Sequence, residues 1–69
     1  MVQLIKIEIL KDHRRKKRYV YCEGHHDAGK ISVEKLEIPQ AMEDDTAIHY
    51  GRQLFINTLK KRGYEVKEE

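Results

Sequence analysis

The chain has 69 residues, 38% of them charged and 39% hydrophobic, with 14 Lys and Arg against 12 Asp and Glu for a formal charge of +2. That length holds a single domain with a thin core, and one cysteine, Cys22, excludes an intrachain disulfide framework and the spacing of a four-cysteine zinc module. Charges interrupt the N-terminal residues too early for a signal sequence and no apolar run approaches a membrane span, so the expectation is a soluble, cytoplasmic protein with no membrane partner.

In chain order, Ile5, Ile7 and Ile9 share one parity while Lys6 and Glu8 take the other, which predicts a half-buried strand over 2–10. A second strand over 18–23 sets Val20 and Cys22 on one face and Tyr19, Tyr21 and Glu23 on the other. Gly24-His25-His26-Asp27-Ala28-Gly29 has the composition of a turn. The third strand, 30–38, changes phase: Ile31 and Val33 share one parity and Leu36 and Ile38 the other, which predicts either a bulge near Glu34-Lys35 or a twist that serves two faces.

Asp44, Asp45 and Thr46 are N-cap residue types, and their acidity suits the positive end of a helix over 45–62. At 3.6 residues per turn the apolar stripe comprises Ala47, Ile48, Gly51, Leu54, Phe55, Thr58 and Leu59, with Ile56 almost opposite. Lys60-Lys61-Arg62 suits the negative end, Gly63 is a left-handed stop, and a short strand over 64–67 precedes Lys/Glu-rich residues expected to fray. The expected fold is α+β: a three-stranded antiparallel β-meander with one amphipathic helix packed on one face and a short C-terminal strand (βββαβ), in one domain over 1–69.

In a meander the turn after strand one and the histidine turn lie at opposite ends of the sheet, roughly 20 Å apart at about 3.3 Å per residue. Cys22, His25, His26 and Asp27 are metal-ligand types within six residues, but His13 and His49 lie at the far end and Cys22 points to the core. The expectation is therefore no metal and no cofactor. A thiol–imidazole pair of Cys22 and His25 lacks an electropositive setting, and no glycine-rich phosphate loop is present, so no enzymatic activity is expected.

Six of the eight residues from Lys11 to Arg18 are basic, and Tyr19 and Tyr21 follow directly. Lys11, Arg14, Arg15, Lys16, Lys17 and Arg18 at a hairpin tip suit phosphates, and Tyr19 and Tyr21 offer stacking faces, so DNA or RNA is the expected partner. The competing expectation is that these charges pair with Glu43, Asp44 and Asp45 at the same end of the fold. Ile56, Tyr50, Tyr19 and Tyr21 on outer surfaces suggest homodimerisation or a protein partner.

The strand-strand-strand-helix-strand order resembles the small antitoxin domains of the HicB type, and its first four elements resemble the arm-site-binding domains of tyrosine integrases. The resemblance is one of element order and implies a small regulator from a mobile element or stress module, and a viral or mobile-element origin is the expectation. The reading is thus a small non-enzymatic regulator that binds nucleic acid through its basic hairpin, or alternatively an anti-defence or antitoxin-like module that binds a larger protein.

Overall fold

The structure, a computed structural model, describes residues 1–67. Its elements run β1 (Val2–Asp12), β2 (Lys17–His26), β3 (Ile31–Glu37), α1 (Asp44–Lys61) and β4 (Val66–Lys67). They form the expected α+β arrangement, a four-stranded sheet in the order β3-β2-β1-β4. The three long strands are antiparallel, and β4 lies parallel to β1 with Val2 opposite Val66. The expected fraying of the last residues concerns Glu68 and Glu69, outside the described residues. No helix among the described residues is long and apolar enough to cross a membrane.

The sheet departs from the sequence reading in where its irregularity falls. The β2–β3 register is continuous from Tyr19↔Glu37 to His25↔Ile31, so β3 has no bulge. Of the two explanations for its phase change, the one in which the strand serves two faces fits. Ile31 and Val33 point away from the helix and are each 54% exposed, while Ile38 points in and is buried. The register shift instead lies in β1, between Leu4 and Lys6. The extra residue, Ile5, is 44% exposed, and its insertion lets Val2 and Leu4 share the helix-facing side with Ile7 and Ile9.

Strand β2 is longer than its composition suggests, because Gly24, His25 and His26 continue it. Gly24 is there for space. A Cβ on it would stand 2.7 Å from Val2 Cγ1 and 3.3 Å from the Phe55 ring, so the glycine makes room for core side chains instead of turning the chain.

The core comprises Val2, Leu4, Val20, Cys22, Ile38, Ala47, Phe55, Ile56 and Leu59. Each large member contributes about 1.5–3 kcal/mol by leaving water. The helix meets the sheet along Ala47, Gly51, Phe55 and Leu59, a row spaced by four. Gly51 sets the closest approach, since a Cβ there would stand 2.5 Å from Val20 Cγ1. Seated on that row, the helix turns further than its apolar pattern implies. Ile56, expected opposite the stripe, is 3% exposed, whereas Leu54 and Thr58 lie half-buried at the margin. The fourth strand widens the floor beneath the helix, and Val66 and Tyr64 pack against the core.

Helix α1 begins at Asp44 and its N-cap is Glu43, which makes no side-chain cap bond. Asp44 and Asp45 therefore occupy the first turn, not the cap, and complement the dipole from there. At the other end Gly63 adopts φ +89°, Gly63 N–H donates to Lys60 O at 3.0 Å and Tyr64 N–H donates to Leu59 O at 3.1 Å. This paired closure is the left-handed stop anticipated at Gly63.

Candidate nucleic-acid interface

The basic turn joins β1 to β2, with Asp12 opposite Lys17 as the last pair of the ladder. Asp12 organises the loop. Its Oδ1 accepts from the backbone N–H groups of Arg14 at 3.1 Å and Arg15 at 3.2 Å, and Lys16 takes φ 55° to bring the chain back into β2. The side chains of His13, Arg14, Arg15, Lys16 and Lys17 are exposed at this tip.

Strand alternation divides the basic run. Lys11 and Arg18 are a cross-strand pair on the helix side, and both face Asp44, at 3.9 Å from Lys11 Nζ and in a closer ion pair with Arg18. Arg18 also donates through Nη2 to the carbonyls of Pro39 and Gln40, both at 3.3 Å, and of Met42. One guanidinium thus fastens the connection between β3 and α1 to the first turn of the helix. Lys17 points to the other side of the sheet and pairs with Glu37 at 3.3 Å, while Arg15 Nε lies 3.9 Å from Asp12. Of the three acids expected to meet the basic run, Asp44 does so.

Tyr19 and Tyr21 lie on the sheet face away from the helix, and both are engaged. Lys35 Nζ stands 4.4 Å above the Tyr19 ring. The Tyr21 hydroxyl donates to Glu23 Oε1 at 2.7 Å, and His25 Nε2 lies 2.7 Å from Glu23 Oε2. The bond to Glu23 raises the Tyr21 hydroxyl above its ordinary pKa, and the same bond, followed by that from His25, holds the Glu23 carboxyl below its own. This Tyr21–Glu23–His25 line escapes the sequence reading, which placed His25 in a turn. Its signal is the period-two spacing of the three residues, carried through Gly24.

The open face is electrostatically mixed. Lys6 stands opposite Glu23, Glu8 and Lys35 flank Tyr21, and Lys17 pairs with Glu37. The positive field is concentrated at the turn, not spread along the tyrosines.

The metal-ligand types near the second turn are sorted onto different surfaces. Cys22 is fully buried, its Sγ 3.7 Å from Gly51 O, and burial pushes its thiol up to about 11, which leaves it protonated at neutral pH. His25 lies on the open face, whereas His26 lies on the helix side, bonded to Ser32 Oγ at 2.7 Å and edge-on to Tyr64 at 4.6 Å. Asp27 pairs with the N-terminal ammonium at 3.0 Å. Among the described residues no group of three or more His, Cys, Asp or Glu is placed to hold a metal ion.

Compared with known proteins, the chain matches no family model, no curated protein and no solved structure.

Proposed function

We propose that this protein is a small non-enzymatic regulator that holds nucleic acid by its phosphate backbone, through the tip of the β1–β2 hairpin. The observation that carries the reading is the exposed run Arg14-Arg15-Lys16-Lys17 on a turn whose backbone is braced by Asp12. Cations on a braced turn engage phosphate with less ordering cost than cations on a slack loop. Lys11 and Arg18 serve the fold by holding Asp44, and Tyr19 and Tyr21 follow the turn on the open face, each with a partner of its own.

A protein partner is the second reading. It is favoured by the low net charge of +2 and by the mixed charges of the open face beside the exposed Ile31 and Val33. Such a module would inhibit or adapt a larger protein, as an antitoxin-like or anti-defence protein does.

Mobility shift with single-stranded and duplex probes at two salt concentrations separates the readings. On the first, binding weakens steeply with salt, and Arg14→Gln, Arg15→Gln and Lys17→Gln together lower the salt slope by about one per phosphate contact removed. A triple variant that binds as the parent does would reject the turn as the site. No binding by the parent at low salt leaves the protein-partner reading.

A further inference from the structure

Among the described residues the sheet is open along the outer side of β3 and, at its other edge, along the two residues of β4 and along β1 beyond Gln3, where its pairing with β4 ends. The two edges differ in how they are guarded. The β1 edge carries the bulge at Ile5 and is flanked by Ile48 and Arg52 of the helix across a shallow groove. A bulge spoils the regular spacing that a new strand needs. Strand β3 is regular over its seven residues, lies outside the main helix contact with β1 and β2, and exposes Ile31 and Val33 on the open face.

We propose that β3 pairs antiparallel with β3 of a second copy of the chain, about a two-fold axis through Ser32. An axis perpendicular to the sheet keeps each face continuous, so opposed residues share a parity and the axis passes through one residue of the strand. Charge and apolar matching together select among the choices, since an axis through Leu36 also sets Lys35 against Glu37 but places Glu34 opposite Ile38. An axis through Glu34 or Lys35 sets that side chain against its own copy, and one through Val33 sets Ile31 against Lys35. Through Ser32, Ile31 lies opposite Val33 on the open face and Lys30 opposite Glu34 on the helix-side face, each pairing repeated by symmetry. Both kinds of cross-strand pair are favourable.

The local geometry suits this register. Lys30 directly precedes the strand, its carbonyl accepting from His26 N–H at 2.8 Å, and both Lys30 and Glu34 are exposed. The Ser32 hydroxyl is already engaged by His26, so a small, satisfied side chain sits at the axis. The pairing doubles the four-stranded sheet, places both helices on one side, and carries the two basic turns to opposite ends. It stands apart from whatever the basic turn binds.

Sedimentation equilibrium from low to high micromolar concentration tests it. The parent is expected at the mass of two chains. Glu34→Lys converts two attractive pairs into two repulsive ones and raises the dissociation constant by about tenfold or more. Lys30→Glu alone does the same, and Lys30→Glu with Glu34→Lys restores the parent's affinity, so a folding defect in one variant does not imitate the result. A parent of single-chain mass at every concentration overturns the proposal. So does a dimer indifferent to Glu34→Lys, or a charge swap that fails to restore it.

Discussion

On its helix side the sheet presents Val2, Leu4, Val20 and Cys22 to the core, and at the edge of that core Lys11 and Arg18 reach Asp44. On its other side the sheet presents Lys6, Glu8, Tyr21, Glu23 and Lys35, with opposite charges on neighbouring strands and the Tyr21–Glu23 hydrogen bond in reach of water. The first face depends on volume and on a half-buried guanidinium with four acceptors; the second depends on pairs that solvent screens. Chemically similar residues therefore differ in consequence according to parity alone. Arg18 and Lys17 are neighbours in the chain, yet one organises the fold and the other decorates it.

The largest effect should come from the helix-side face. Gly51→Ala adds a good helix former, worth about 1 kcal/mol by propensity, but its Cβ meets Val20. The clash should prevail, with a net loss of about 2 kcal/mol in urea unfolding, and Val20→Ala should cost less in the Gly51→Ala chain than in the parent. If Gly51→Ala stabilised the protein, the helix would not approach β2 as closely as described.

Next comes the contrast between neighbours. Arg18→Ala should cost about 2 kcal/mol because it removes the closer partner of Asp44 and leaves the Pro39, Gln40 and Met42 carbonyls without their donor, freeing the connection between β3 and α1, whereas Lys17→Ala should cost at most about 0.5 kcal/mol. Equal effects in thermal or chemical unfolding would erase the distinction between the faces.

The smallest effect belongs to the open face and shows in pH dependence. Glu23 has a lowered pKa in the folded state, so its contribution to stability is present above about pH 4.3, the unfolded glutamate value, and is lost as the pH falls through the folded value. Tyr21 has a raised pKa, so its contribution is present below about pH 10 and is lost as the pH rises through the folded value. Thermal midpoints across pH should show a shallower acid limb for Glu23→Gln and a shallower alkaline limb for Tyr21→Phe. Limbs identical to the parent's would mean that the Tyr21–Glu23–His25 line does not persist in solution.

Much of this protein is local and was legible from its residues. Alternation in β1 and β2, the helix with its acidic start and basic end, and the stop at Gly63 are short-range signals, and they determine the βββαβ order. The basic turn was equally plain, because a charge run is a property of the chain and not of its folding. Other features were decided when the helix docked. The parity of Ile31 and Val33 and that of Leu36 and Ile38 compete until the sheet has a covered side; Ile5 reads with Ile7 and Ile9 until Val2 and Leu4 claim that side; Ile56 reads as exposed until Gly51 seats the helix on Val20 and β4 extends the sheet. The division of the basic run between Asp44 and solvent belongs with these. Periodicity reports which residues share a face, but only the packing of α1 and the placement of β4 determine which face is covered.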